Sequence, residues 1–230
     1  MIWILPAALS LSVAPAISAD ERTVMVTGFD GVRVEGPFAV EVATGTGATA
    51  TIRGDSRAVD SVDVRVEDRI LVVAVNPSAW GGWPGDTPDR PQIAVATPRL
   101  QSVVLTGSGR VAVDRLRGQE VVLSLTGSGA IAVGDVDADE VRATLNGTGI
   151  IALAGDARRG RFTVSGAGSY DAADLMVGDL DVVAQSGGDS SFAARGTAVV
   201  TATGLGAISV GGTAPCDIKG PGTVRCEGDR

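Results

Sequence analysis

The chain has 230 residues, of which 44% are hydrophobic, 20% charged and 3% aromatic, and its net charge is −8. It has no histidine, which excludes histidine-dependent catalytic triads, histidine zinc sites and histidine general bases. Its single lysine is Lys219 and it has no basic stripe, which excludes a nucleic-acid partner. The 32 glycines, together with abundant valine, threonine and alanine, favour β-structure with many tight turns.

The N-terminus is an uncharged apolar stretch followed by three charged residues. This pattern predicts a signal peptide over residues 1–19, cleaved after Ala19 or Ser18. The alternative, a membrane anchor, is disfavoured by two prolines within the stretch. We therefore expect an exported protein, periplasmic or extracellular in a bacterial envelope. No transmembrane segment is expected in the mature chain, 20–230, which we treat as a single domain.

Residues 28–100 form a less regular first half of this domain, with strand-like segments of changing apolar pattern. A proline-rich loop at 76–91 carries Trp80 and Trp83. Exposed indole rings stack on sugar faces or anchor in partner proteins, so these two residues are the candidate binding residues. The alternative is that both rings fold back and cover a flank or an open end of the domain.

Short glycine-containing corners recur along residues 101–226. The positions two and four residues before each corner, and four and six residues after it, are apolar with one exception, Ser190. The positions one and three residues before each corner are mostly polar, as expected for a strand with one buried face. A third apolar position follows about nine residues after a corner. The corners begin at residues 107, 127, 147, 166, 186, 204 and 220, and the third positions are Leu116, Val136, Ala157 and Leu175.

These repeats predict an all-β fold, namely a β-solenoid in the form of a right-handed parallel β-helix with coils of about 16–20 residues. Inward side chains at matching offsets then stack in columns, so that Leu105, Leu125 and Leu145 are aligned. The alternative is an antiparallel array of hairpins, in which adjacent copies would alternate in direction.

Cys216 and Cys226 are the only cysteines, and both fall at inward positions of the last repeat. In an exported chain, two cysteines at this spacing predict a disulfide that closes the end of the solenoid. The alternative is a pair of free buried thiols.

The remaining polar residues give no catalytic or cofactor site. Asp135, Asp137 and Asp139 alternate along one segment and could hold Ca²⁺, but the surrounding residues do not fit a calcium loop, so we interpret the segment as a solvated acidic turn. The serines and threonines beside the corners have no base to activate them and are predicted to form a stacked hydroxyl ladder on the outer face. We expect no bound metal and no cofactor.

Three segments carry a resemblance to a known family: residues 29–40, which read FDGVRVEGPFAV, residues 52–55, and the LTGSG blocks that follow Leu100. Together they resemble the bacterial GIN domain, described as a putative auto-transporter adhesin head, over residues 28–226. The resemblance implies a β-helical fold and an envelope or secreted location. It implies no established activity and no catalytic residues.

The first functional hypothesis is a non-enzymatic envelope protein that presents a rigid β-helical surface to a protein or glycan. The second is a polysaccharide lyase or glycosidase, because β-helices host such enzymes, although the strands around the corners offer no pair of outward acids at equal offsets on neighbouring coils. The third is a self-associating structural module that forms homo-oligomers through its solenoid ends.

Overall fold

A computed structural model describes residues 20–78 and 91–228 of the chain. This part of the chain contains sixteen strands and one short helix. The elements are β1 Asp20–Val24, β2 Gly31–Glu35, β3 Ala39–Thr44, β4 Thr49–Gly54, α1 Ser56–Asp60, β5 Val62–Glu67, β6 Ile70–Val75, β7 Gln92–Thr97, β8 Ser102–Gly107, β9 Arg110–Gly127, β10 Ala130–Gly147, β11 Ile150–Gly166, β12 Ser169–Ser186, β13 Ser190–Ala202, β14 Ala207–Gly212, β15 Cys216–Lys219 and β16 Thr223–Cys226.

The strands wind into a β-solenoid of about 6 turns with parallel stacked coils. The long strands β9 to β12 each bend around most of one coil, and each pairs in parallel with the strand of the next coil. Leu125 is in register with both Leu105 and Leu145, so the predicted column is confirmed. The hairpin alternative is wrong for the repeats, because their pairing is parallel throughout.

Each coil has two flat faces that meet at the glycine corner, and a third side that closes the coil. The first face comprises the strand segments that run into the corners: β2, β8, the C-terminal parts of β9 to β13, and β15. The second face comprises the segments that leave the corners: β3, the N-terminal parts of β9 to β13, β14 and β16. The third side is the middle part of the long strands.

The interior is a dry stack of aliphatic side chains, since the strand alternation points every second residue inward. Leu105, Leu125 and Leu145 are all fully buried. Three aromatic rings fill the coils nearer the C-terminus, where Phe162 lies 5.4 Å from Tyr170 and 5.1 Å from Phe192 between ring centroids. Each coil therefore contributes inward side chains from each of its faces to the core. Its apolar side chains are buried only because neighbouring coils stack on them.

The first half of the chain also contributes coils, but their order in the stack differs from their order in the sequence. Strand β2 lies between β6 and β8, and β3 lies between β7 and β9. Antiparallel strands then close this end, with β5 beside β6, and β4 and β1 beyond β7. This insertion of one coil between two later segments explains why the repeat is not readable in residues 28–100.

Two details of the predicted register are wrong. Gly155, and not Ala157, pairs with both Val136 and Leu175, because β11 has one residue fewer than its neighbours β10 and β12, which bulge opposite it. In the last coil, an alignment on the corner glycines places Cys216 beside Val200. The structure pairs Cys216 with Ala198, two residues earlier in β13.

The C-terminal end of the solenoid carries the predicted disulfide. Cys216 on β15 and Cys226 on β16 are joined, with their Cα atoms 6.4 Å apart, so the bridge links the first face to the second. It lies over the fully buried residues of the preceding coil, such as Ala198 and Val210. Free thiols are thereby excluded.

Within residues 20–78 and 91–228 no helix has the length and apolar character needed to span a membrane. The predicted signal peptide, 1–19, lies outside the described residues and stays a prediction.

Candidate functional site

The part of the first face nearest the corners presents a flat, uncharged surface to solvent. Its outward side chains lie in two parallel rows that cross the coils in register, and we call these rows the neutral strip. A further outward row, two residues farther from the corners, carries Arg142, Arg161 and Asp181. Ten of the twelve positions carry a hydroxyl or an amide, and the other two are valines. The rows are Val104, Ser124, Thr144, Thr163, Val183 and Thr201, and Thr106, Thr126, Asn146, Ser165, Gln185 and Thr203.

The strip exists because each strand that enters a corner alternates strictly between buried and outward residues. With about 4.8 Å between coils and about 3.3 Å per residue along a strand, the strip measures about 24 Å by 7 Å. Its side chains are exposed or half-buried. The stacked hydroxyl ladder that the sequence predicts on the outer face is therefore present.

The hydroxyl and amide groups of the strip form almost no hydrogen bonds with the residues that the structure describes. Thr203 donates its hydroxyl to the carbonyl oxygen of Ala184 at 3.4 Å. The other hydroxyl and amide side chains of the strip form no hydrogen bond with any residue that the structure describes. They are therefore available as donors and acceptors to a molecule that lies along the face.

Charged residues surround the strip without entering it. At one end, Val104 and Thr106 pair with Arg33 and Glu35 of β2. At the other end, Thr201 pairs with Lys219. The strip is thus a neutral area bounded by charge, on a protein whose net charge is −8.

The third side, in contrast, carries ion pairs that connect neighbouring coils. Asp135 accepts from Arg115 at 2.7 Å, and Asp137 lies 3.4 Å from Arg117. Asp139 lies 3.1 Å from Arg158. The alternating aspartates are therefore balanced by arginines of neighbouring coils, and the part of the chain that the structure describes contains no cluster of acids that could hold a metal ion. Sequence reasoning missed these partners, although the spacing of twenty residues between Arg115 and Asp135 was a signal for them.

Glu120 and Glu140 are a pair of outward acids at equal offsets on neighbouring coils, which sequence reasoning did not find. Arg142 lies between them, 2.7 Å from Glu120 and 2.8 Å from Glu140. The hydrogen bond from Arg142 holds the pKa of Glu140 below its usual range, and the charges of Arg161 and Arg159 act in the same direction. A general acid needs the opposite shift, so this pair does not have the character of a glycosidase site.

A second acid of the third side shows the same behaviour. Asp156 pairs in register with Asp137, and it accepts two hydrogen bonds from Arg195, at 2.7 and 2.9 Å. The Arg195 guanidinium lowers the pKa of Asp156. In each pair of neighbouring acids, arginine thus favours the ionised form of one carboxylate, namely Glu140 and Asp156.

The two candidate binding residues from the sequence, Trp80 and Trp83, lie outside the described residues. The described chain leaves the solenoid after Val75 of β6 and returns at Gln92 of β7. Both strands belong to the end of the stack opposite the disulfide. The Trp loop is therefore attached at that end, and its role stays a prediction.

Comparison with known proteins supports the family resemblance. The model of the family described as putative auto-transporter adhesin, head GIN domain, matches residues 28–214. A putative adhesin from Bacteroides fragilis is similar in structure, with a TM-score of 0.77 and 19% identity over 92% of this chain and 98% of that one.

Two further solved structures, both from Parabacteroides, share the fold. A putative adhesin from Parabacteroides merdae has a TM-score of 0.62 and 17% identity over 90% of this chain and 95% of that one. A protein from Parabacteroides distasonis described as a putative lipid binding protein has a TM-score of 0.63 and 16% identity over the same shares, 90% and 95%. No curated protein shows significant sequence similarity to the chain. The chain belongs to the family of the auto-transporter adhesin head GIN domain.

Proposed function

We propose that this protein is a non-enzymatic, extracytoplasmic binding scaffold of adhesin type, and that its neutral strip docks onto a neutral polysaccharide. The observation that carries the proposal is the strip itself, a flat array about 24 Å long of hydroxyl and amide side chains that have almost no hydrogen-bond partner among the described residues. Family membership supports the adhesin character, and the disulfide supports an oxidising compartment.

The chemistry of the strip selects the ligand class. Hydroxyl and amide groups both donate and accept hydrogen bonds, as sugar hydroxyls do. The strip has no charge that would favour an acidic polymer, and the net charge of −8 disfavours one at long range. A single hydrogen bond contributes only about 0.5–1.5 kcal/mol net, so useful affinity requires many equivalent contacts, which repeating coils and a repeating polymer both supply.

The competing function, depolymerisation of a polysaccharide, has less support. The structure brings two pairs of acids together. Arg142 bridges Glu120 and Glu140, whereas Asp137 and Asp156 pair with different arginines, Arg117 and Arg195. Both pairs lie on the third side and not on the strip. The pKa values of Glu140 and Asp156 are lowered, whereas protonation of a leaving group requires a carboxyl group with a raised pKa.

Trp80 and Trp83 supply a second candidate contact. An indole ring adds stacking on a sugar face to the hydrogen bonds of the strip. We propose that the Trp loop, attached at the end of the stack where β6 and β7 lie, contributes to the same binding event.

The test is retention of the purified protein on insoluble cellulose, xylan and mannan, with polygalacturonate as the acidic comparison. The strip variant is the triple change Thr126→Val, Thr144→Val and Thr163→Val, which removes hydroxyls, keeps the side-chain shape and suits a strand. We expect retention on one of the neutral polymers, and a fall of at least tenfold in the strip variant. A matched control, Ser209→Val with Thr223→Val, makes the same kind of change on the second face and should retain parental binding.

The Trp variant, Trp80→Ala with Trp83→Ala, is measured in the same assay. With the strip left intact, it should be retained less than the parent protein. Absence of binding to all three neutral polymers, or equal binding by the strip variant and the parent, would overturn the proposed docking surface. Release of new reducing ends by the purified protein would instead identify an enzyme.

A further inference from the structure

The neutral strip is elongated along the axis of the stack. Its two rows are about 24 Å long and only about 7 Å apart. Arg33 and Glu35 lie beside its first coil, and Lys219 lies beside its last. Along one side, the next outward row carries Arg142 and Arg161. A linear neutral polymer therefore stays on the strip only if it runs along the stack and across the strands.

The strip also has a regular spacing, although the coils differ in length. The register shifts that absorb the differences between β10, β11, β12 and β13 lie on the second face and the third side. They fall at residues 133–136, 152–154, 172–176 and 177–179. On the first face of the described strands, equivalent residues pair one to one from β8 to β13. Each step along a row is therefore one strand spacing, about 4.8 Å.

A polymer makes equivalent contacts at every coil only if its own repeat matches this step. In a β-1,4-linked chain of glucose, xylose or mannose, both linkage bonds of each ring are equatorial. Such a chain is an extended ribbon that advances by nearly one coil spacing per sugar, and its hydroxyls lie along both edges, as the two rows of the strip require. An α-1,4-linked chain has an axial bond at each linkage and curves, so its successive sugars leave a flat surface.

We propose that the ligand of the neutral strip is an extended β-1,4-linked glycan that runs along the stack with one sugar per coil, so that the six coils of the strip hold six sugars. This assignment rests on the proposed docking function and specifies its substrate class, orientation and length. Every coil offers a hydroxyl or an amide in at least one row. Val104 and Val183 supply apolar contacts to the C–H groups of the sugar rings.

The first experiment measures affinity against chain length by isothermal titration calorimetry. The probes are cello-, xylo- and manno-oligosaccharides of two to eight sugars, with maltohexaose as the α-1,4-linked match to cellohexaose. In at least one β-linked series, the dissociation constant should fall at least about twofold with each sugar up to six, because each sugar adds at least one hydrogen bond, and should change little beyond six. The best β-linked hexaose should bind at least tenfold more tightly than maltohexaose.

A pair of changes at the two ends of the strip tests the orientation. Thr106→Val with Thr201→Val removes one hydroxyl from the first coil and one from the last, about 24 Å apart along the stack. The hexaose should then bind roughly 5- to 160-fold more weakly, as the loss of two hydrogen bonds implies. The tetraose should lose no more than about threefold, because one of its three placements, on the four inner coils, is intact. Ser209→Val with Thr223→Val, on the second face, should leave both affinities unchanged.

Failure of this assignment is distinguishable from failure of the docking function. Retention on a neutral polymer, combined with an affinity that stops rising at two or three sugars, would overturn the assignment alone. Equal binding of maltohexaose and the best β-linked hexaose, or equal losses for tetraose and hexaose in the end variant, would do the same. Absence of binding to every oligosaccharide and every neutral polymer would contradict both the assignment and the docking function.

Discussion

At the scale of single residues, the corners depend on the absence of a Cβ atom. Gly107, Gly127, Gly147 and Gly166 all have positive φ angles and stack directly on one another. A Cβ on Gly166 would lie 2.5 Å from the carbonyl oxygen of Gly147. The next corner replaces glycine by Ser186, whose hydroxyl donates to the carbonyl of Gly168 at 2.7 Å and accepts from the N–H of Gly188 at 3.0 Å. A side chain is therefore tolerated only where the backbone conformation changes.

Gly166→Ala should lower the free energy of unfolding by about 2–5 kcal/mol, since it combines an unfavourable φ angle with a backbone collision. The matched control is Gly45→Ala, which has a φ of +93° but nothing within 4 Å of the new Cβ. The control should cost only about 1–2 kcal/mol. Urea unfolding of the three proteins measures the difference, and equal losses in both variants would show that stacking of the corners is not what requires glycine.

Glu140 predicts a pH dependence of stability. Its pKa is lowered in the folded protein, so its contribution is present above the unfolded pKa of about 4.5 and is lost as the pH falls through the lower folded pKa. The parent should therefore lose more thermal stability between pH 6 and pH 3 than Glu140→Gln does. Asp174→Asn, which changes a carboxylate outside these ion pairs, should follow the parent. Parallel curves for the parent and Glu140→Gln would contradict this interpretation of the network.

At the scale of elements, the last coil is held by few contacts. Strands β15 and β16 have four residues each, and each has a described partner on one side only. The disulfide closes a loop with a sequence separation of 10, and in the chain-entropy view such a loop contributes about 2–3 kcal/mol. The bridge thus compensates for the short strands of the terminal coil.

Replacing both cysteines, Cys216→Ser with Cys226→Ser, should lower the free energy of unfolding by about 2–3 kcal/mol. Hydrogen exchange should become fast in β15 and β16 and stay slow in β10 and β11, because the inner coils have partners on both sides. Uniform loss of protection along the chain would contradict the assignment of the bridge to the terminal coil.

The elements also show which features the sequence could predict. Strict alternation around the corners predicts the inward columns, so Leu105, Leu125 and Leu145 align as expected. The register of β15 and the bulges of β10 and β12 opposite β11 could not be predicted, because coils of unequal length can absorb a missing residue at several places. The outward rows of the strip follow from the same alternation, whereas the arginine partners of the third side require the vertical register between coils.

At the scale of the whole molecule, the two ends of the stack are different. The N-terminal end inserts β2 and β3 between later segments and is extended by antiparallel strands, an arrangement that no local pattern encodes. The C-terminal end of the described residues carries two short parallel strands joined by a disulfide. Between the two ends, each coil adds one side chain to each of the two rows of the neutral strip. The length of the docking surface is therefore set by the number of coils.

Deletion of residues 128–147 tests this dependence most directly. The deletion joins Gly127 to Thr148. Because Gly127 and Gly147 are in register, Gly127 takes the place of Gly147 in the corner. One coil is removed, together with its two strip residues, Thr144 and Asn146. The shortened protein should fold and should bind the polysaccharide that retains the parent roughly 5- to 160-fold more weakly, as the loss of two hydrogen bonds implies. A folded deletion variant with unchanged binding, or a chain that no longer folds, would contradict the account of a stacked scaffold in which each coil adds two side chains to the docking surface.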